Sequence, residues 1–222
     1  MCNSVDEVIK GLDEYNVVGV YSTPEDNSKY FNKYMVKIPE TISIPREDFI
    51  LAKCENKVIL DIGCVGPLHV NIMKVAKETW GIDIQDNPGY PNYFKCDLSN
   101  QPIPFPLAEK FDLVVCGEVI EHLINPGQFL MQLHAAKCPI IVTVPNAFGS
   151  AGMKCIRNTG YENVNKDHVA YYSYGTFKVL ATKCKYKISE YYWYNGEPRL
   201  SEGIIFVLHS EVSNGLSKEK RD

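Results

Sequence analysis

Glu118, Glu121 and His122 stand in the stretch "GEVIEHL", spaced i, i+3, i+4. That spacing puts three side chains on one side of a single helical turn. Two carboxylates and an imidazole so placed have three readings. In the first they bind a divalent cation, with His168 of the distant stretch "NKDHVAYYS" as a fourth ligand. Two carboxylates and two imidazoles suit manganese, iron, cobalt or zinc better than magnesium. Such a cation would hold a substrate hydroxyl or diol and lower its pKa. In the second, His122 or His168 is a general base and a carboxylate, Glu121 or Glu118, orients it. In the third the residues are structural, one glutamate capping backbone donors while the histidine packs. Buried charges need partners, so burial alone does not account for all of these side chains.

The surrounding elements decide how such residues are positioned. At Lys57 the chain changes character: "KVILDIG" is almost wholly apolar and ends in Asp61 and Gly63. Such a run suits a parallel strand buried on both faces. Alternation follows. "HVNIMKVAKETW" (69–80) reads as a helix, "WGIDI" as a second strand and "NYFKCDL" as a third. "FDLVVC" is a fourth strand; "NPGQFLMQLHAAK" is a helix with Asn125 as N-cap and Pro126 at its first position. "PIIVTVPN" is a fifth strand, "SYGTFKVLATKCKY" a helix capped by Ser173, and "KISEYYWYN" with "GIIFVLHSEV" a final antiparallel pair. The pattern predicts an α/β fold: a Rossmann-like, doubly wound, seven-stranded sheet, mainly parallel with an antiparallel last strand. Ligands bind such sheets beyond the carboxyl ends of the strands, so the polar strand tips carry the functional information. In this fold the loops after strands four and five share one edge of the site, which lets His168 face His122.

The tip of strand one, "DIGCVG", has glycines at 63 and 66 for a tight turn. It departs from G-x-G-x-x-G by one extra residue between the glycines, and Pro67 follows. The tip of strand two carries Asp83, about 20 residues after the glycine turn, where an acid can accept both hydroxyls of a ribose. At the tip of strand three, Asp97 could accept from an adenine amino group, with the Leu98 backbone meeting the ring. Each tip alone also reads as an ordinary turn or solvated strand end.

Taken in order, "VILDIGCVG", "WGIDI", "KCDLS", "FDLVVCGEVIEHL" and "IIVTVPN" resemble the successive motifs of the class I S-adenosylmethionine-dependent methyltransferases, over about residues 55–210. The resemblance implies in-line methyl transfer from S-adenosylmethionine. It implies that Asp61, Gly63, Cys64 and Gly66 surround the methionine part. Asp83, with Ile84 beside it, would hold the ribose, Asp97 and Leu98 the adenine, and Glu118 would join the cofactor site. Pro67 removes a backbone donor where many members have a third glycine. The small-RNA 3′-end 2′-O-methyltransferases carry a similar Glu-x-x-Glu-His with a later histidine, and the ubiquinone-pathway O-methyltransferases are similar here too. The region "VPNAFG…ENVNKDHVAYYSYGTFKVL" most resembles methyltransferases of surface-glycan and small-metabolite pathways. The leading expectation is therefore O-methylation of a sugar, nucleotide- or phosphate-linked, or of another small hydroxylated metabolite. RNA 2′-O-methylation is the runner-up, and a catalytically inactive accessory subunit the third reading. The intact glycine turn and both nucleoside acids argue against the last.

Composition bounds these readings. The chain has 222 residues, 45% of them hydrophobic and 23% charged, with a net charge of −4. That suits one domain with a full core and speaks against a wide nucleic-acid-binding surface, though not against a local basic patch. No apolar run reaches the ~20 residues of a membrane span. The eight cysteines are spread singly, without metal spacing. They read as reduced thiols of a cytoplasmic protein. Residues 1–54 are expected to form a cap or lid, with a short helix over 4–14 and with Tyr30, Phe31, Lys33, Tyr34 and Lys37 closing over the cofactor. Residues 55–212 form the methyltransferase domain and 213–222 a flexible tail. The stretch 146–172 is too long for a simple connector. Its Tyr161, Tyr171, Tyr172, Lys154, Arg157 and Lys166 could stack on a sugar or base and meet a phosphate. His134 reads as a surface or satisfied core residue, and His69 and His209 receive no role.

Overall fold

The computed structural model describes residues 36–107 and 110–212. The expected helix over 4–14, the lid residues Tyr30, Phe31, Lys33 and Tyr34, and the tail 213–222 lie outside the described residues. The chain divides into two units, Met1–Lys37 and Ile38–Asp222. The second runs in the order α1 (Arg46–Cys54), β1 (Val58–Ile62), α2 (Pro67–Val75), β2 (Glu78–Asp83), β3 (Tyr93–Lys95), β4 (Leu113–Gly117), a 3₁₀ turn (Ile120–His122) and α3 (Pro126–Leu133). It continues through β5 (Ile140–Pro145), α4 (Ser150–Thr159), α5 (Tyr174–Lys183), β6 (Tyr186–Tyr194) and β7 (Gly203–Ser210).

The strands form one seven-stranded sheet in the order β3-β2-β1-β4-β5-β7-β6. Neighbours from β3 to β5 pair in parallel, whereas β7 pairs antiparallel with both β5 and β6. Side chains alternate across a strand, and here both faces are apolar. Leu60, Ile62, Val114, Cys116 and Val142 face a layer built from Phe129 and Leu130 of α3 and Phe177 of α5. Ile59, Leu113, Val115 and Ile141 face the other way, against Ile50 and Cys54 of α1 and Ile72 of α2. This is the doubly wound arrangement that near-continuous apolar strands require. Helix α1, which ends at the expected boundary, residue 54, lies on the sheet as a regular layer element.

Three local expectations are corrected. The helix over 69–80 stops at Val75, and Glu78–Trp80 belong to β2. Its buried positions, His69 and Ile72, are helix-spaced; beyond Val75 the chain turns extended at Ala76, and Lys77 donates to the Lys57 carbonyl at 2.9 Å, which leads into the sheet. The stretch after β5 holds α4, a ten-residue helix with no buried residue and so no core-facing stripe. Asn125 stands at the N-cap of α3 but its side chain makes no capping bond. Ser173 does cap α5, in a reciprocal capping box with Thr176. The seven described cysteines are free thiols, and Cys2 lies outside the described residues. No helix among the described residues is long and apolar enough to cross a membrane.

Candidate active site

After β1 the chain winds outward through β2 to β3, then returns to β4 on the other side of β1. That reversal is the switch point at which open α/β sheets leave a crevice. A cavity of about 640 Å³ opens there, bordered by Gly63, Asp83, Asp97, Glu118, His122 and Lys166. Ile84 and Leu98 also line it. Strand order thus brings together six of the nine residues expected around a cofactor: Gly63, Asp83, Ile84, Asp97, Leu98 and Glu118.

Gly63 has φ 75, and a Cβ there would collide with the side chain of Val119. Turn conformation and close approach both demand glycine. Asp83 is buried and bonds the turn to its own strand end. One oxygen accepts from the Val65 amide at 2.9 Å and the other from the Gln85 amide at 3.0 Å. Asp97 accepts from the Ser99 amide at 3.0 Å and from the Asn100 side chain at 2.7 Å. These bonds fix the orientation of both carboxylates, and each oxygen keeps a lone pair free.

Asp61, Cys64 and Gly66 do not border the cavity. Asp61 is 3% exposed and faces His69 of α2, whose Nδ1 lies 2.8 Å from Oδ2. Burial raises the Asp61 pKa and the His69 bond opposes it. His69 was given no role on sequence grounds, because a lone histidine eight positions from an aspartate carries no pairing signal. The Cys64 thiol packs against Gly81, where a Cβ would meet Sγ at 2.6 Å. Burial pushes its pKa to about 12, so it is no nucleophile. Gly66 is the N-cap of α2 in extended backbone and leaves open space about itself.

The Glu118-to-His122 segment splits in two. Glu118 is held by strands: Oε1 accepts from Thr143 Oγ1 at 2.9 Å and from the Tyr194 hydroxyl at 2.5 Å. Glu121 is 1% exposed, and neither carboxylate oxygen has a hydrogen-bond partner among the described residues. Burial, with the nearby Glu118 adding to it, raises its pKa to about 8. Its carbonyl accepts from the Val169 and Ala170 amides at 2.9 and 3.2 Å, which seats the distant loop on the turn. That docking brings the His168 ring to 4.6 Å from the His122 ring, edge to face. One donor atom each from Glu121, His122 and His168 lies within 4.8 Å of the others. Glu118, the fourth expected ligand, is outside that set.

His122 Nδ1 lies 3.0 Å from the Asp167 carbonyl. A carbonyl only accepts, so Nδ1 carries a proton and donates it there, which leaves Nε2 as the nitrogen without that bond. Burial, then the adjacent His122, lowers the His168 pKa, which keeps that ring neutral near pH 7. Residues that sequence reading missed complete the site: Arg46 of α1, Thr143 of β5 and Tyr194 of β6. No local pattern could have joined positions so far apart in the chain.

A methyltransferase domain family model matches residues 39–190. Among solved structures, the chain is similar to the small RNA methyltransferase HEN1, at 18% identity and TM-score 0.60, over 81% of this chain and 27% of that one. The chain therefore spans about a quarter of that protein's length. It is similar to a SAM-dependent methyltransferase from Archaeoglobus fulgidus, at 13% identity and TM-score 0.55, over 82% of this chain and 99% of the other. It is also similar to the Burkholderia thailandensis 1,6-didemethyltoxoflavin-N1-methyltransferase, with bound S-adenosylhomocysteine, at 11% identity and TM-score 0.55, covering 95% and 92%. No curated protein matches the chain. At these identities the structural likenesses concern the fold, and the family model carries the assignment: the chain belongs to the methyltransferase domain family.

Proposed function

We propose that the chain O-methylates a sugar, or another small hydroxylated metabolite, with a divalent cation held by Glu121, His122 and His168. The observation that carries this reading is the Glu121 carboxylate, buried with both oxygens unpartnered, beside two imidazole nitrogens. An isolated buried carboxylate is costly, and a cation would satisfy it. One carboxylate with two imidazoles suits manganese, iron, cobalt or zinc. When bound, such an ion supplies Lewis acidity that makes a substrate hydroxyl easier to deprotonate.

The residues present fit the methyl donor as well. A cavity of about 640 Å³ falls in the usual range for small-molecule sites. The donor would lie along the strand tips, adenine at Asp97 and Leu98, ribose at Asp83 and Ile84, and the methionine part toward Gly63 and Glu118. His122 borders the same cavity, so an acceptor oxygen near His122 and His168 would meet the methyl group at its open end. The protein then contributes mainly proximity and alignment. Where no cation is bound, the neutral His168 ring is free to take the hydroxyl proton instead.

Methylation of an RNA ribose is the second reading, favoured by the fold likeness to a small RNA methyltransferase. The net charge of −4 weighs against it. A cytoplasmic location belongs with either reading. Transfer from labelled S-adenosylmethionine into a fractionated host lysate, with and without chelator, tests them. Label in small molecules or glycans, lost in chelator, is the expected result. Label in RNA would promote the second reading. Full transfer in chelator would remove the cation, and no label despite bound donor would revive the accessory subunit.

A further inference from the structure

Glu118 follows β4 with φ 58, a left-handed conformation that is rare away from glycine. Such a backbone persists only where its surroundings over-determine it. Here they do. The Glu118 amide donates to the Thr143 carbonyl at 3.0 Å. Its Oε1 accepts from the Thr143 and Tyr194 hydroxyls at 2.9 and 2.5 Å. The direction of the chain of bonds is fixed from its far end. Arg46 Nε can only donate, and it does so to Thr143 Oγ1 at 3.0 Å. The single Thr143 proton therefore goes to Glu118. The guanidinium lies 5.7 Å from the Tyr194 ring centre, and a Cβ on Gly117 would come within 2.6 Å of its Nη2. Arg46 is thus wedged over the end of β4.

Glu118 borders the cavity, yet its second oxygen accepts no hydrogen bond among the described residues. Strand order says what it meets. Asp97, Asp83, Gly63 and Glu118 follow β3, β2, β1 and β4, which are successive neighbours. A donor laid with its adenosine at the first two extends its sulfonium and ammonium toward the last. We propose that Arg46 is a positioning residue: through Thr143 it clamps Oε1 of Glu118, and Oε2 serves as the counter-charge for the ammonium and sulfonium of the methyl donor. Arg46 acts through a neutral hydroxyl, so it orients the carboxylate without pairing with it directly.

This inference rests on the cavity being the donor site, and it needs neither acceptor nor cation. Binding is therefore measured in chelator, without acceptor, for two probes. S-adenosylmethionine carries the cationic end; 5′-methylthioadenosine lacks it. Glu118→Gln is expected to weaken the first about tenfold, and Thr143→Val and Arg46→Met about three- to tenfold. All three should leave 5′-methylthioadenosine within about twofold. Equal losses for both probes would mean general damage and overturn the inference. So would unchanged S-adenosylmethionine affinity in the Thr143 and Arg46 variants. A wild-type protein that bound neither probe would remove the donor-site reading along with it.

Discussion

Glu121 gives the sharpest quantitative test. In chelator, burial and then the nearby Glu118 raise its carboxyl to about 8, from an ordinary value of 4.5. Between those two values the folded protein keeps a proton that the unfolded chain has lost. The unfolded state binds fewer protons, so stability falls as pH rises. The contribution is fully present below about 4.5 and lost by the time pH has passed about 8. At about 1.4 kcal/mol per unit the span is roughly 3–6 kcal/mol. Even 3 kcal/mol moves the melting midpoint of a chain this size by roughly 6–12 °C. Glu121→Gln removes the titration and keeps the volume. Its amide is as unpartnered as the carboxyl it replaces, which costs about 1–3 kcal/mol at every pH. The readout is therefore the change from pH 5 to pH 9 in each protein, not the offset between them.

His168 titrates in the same range with the opposite sign. Its lowered pKa makes stability rise as pH climbs toward 6.5, the ordinary value of the imidazole. The causes of that shift are burial, His122, Glu118 and Asp167, so its contribution is common to both proteins and cancels. Urea denaturation in chelator should show the wild type losing several kcal/mol relative to the variant between pH 5 and 9. Parallel profiles would refute the idea that Glu121 is an uncompensated buried acid. Manganese at pH 8 should then stabilise the wild type, by about 2.7 kcal/mol at a hundredfold excess over its dissociation constant. The same addition should leave Glu121→Gln nearly unchanged.

Other perturbations separate the parts of the site. Asp83→Ala removes the acceptor at the ribose position and releases the Val65 and Gln85 amides; calorimetry should show at least a tenfold loss of S-adenosylmethionine affinity. His168→Ala should abolish methyl transfer while donor affinity stays within about twofold, read by the same titration and a single-turnover assay. His69→Leu leaves Asp61 buried without its partner, and denaturation should report a loss of about 3–5 kcal/mol. The double change with Asp61→Leu should recover much of that loss. Gly63→Ala forces a Cβ against Val119 at positive φ and should reduce both stability and donor affinity.

What the sequence discloses depends on the range of the interaction. The runs ending at Ile62, Gly117 and Pro145 declare buried parallel strands, because two apolar faces leave a continuous signal. Once strand order is inferred, the polar tips Asp83, Asp97 and Glu118 follow, since the switch point gathers strand ends. Ser173 is readable because a cap is a local bond. Helix α4 is not, because it presents no buried side chain. The boundary at Val75 fails for a related reason: "KETW" is equally compatible with another helical turn, and only pairing of Glu78 with Val58 decides it. Partnerships across the fold are silent. His69 takes Asp61 from the cofactor side of the turn, and Arg46 reaches Glu118 through Thr143. His168 meets His122 only because the Val169 and Ala170 amides find the Glu121 carbonyl.

Asp61, Glu118 and Glu121 differ in how their carboxylates are partnered. Asp61 is partnered from within by His69, whose Nδ1 lies 2.8 Å from its carboxylate. Glu118 is oriented by two hydroxyls and half satisfied, which leaves one oxygen for a ligand that arrives with positive charge. Glu121 has no partner for either oxygen, and Arg46 is the one cationic residue among the groups that shift it. A buried carboxyl in that position either keeps its proton or acquires a cation. The His122 and His168 rings each place a nitrogen within 4.8 Å of the Glu121 carboxylate. The sequence motif treats Glu118 and Glu121 as equivalent members of one set. The fold divides them: Glu118 is held by Thr143 and Tyr194 at the cavity, and Glu121 is buried beside His122 and His168. That division makes the Glu121 and Glu118 variants fail differently, the first in cation-dependent transfer and the second in donor affinity.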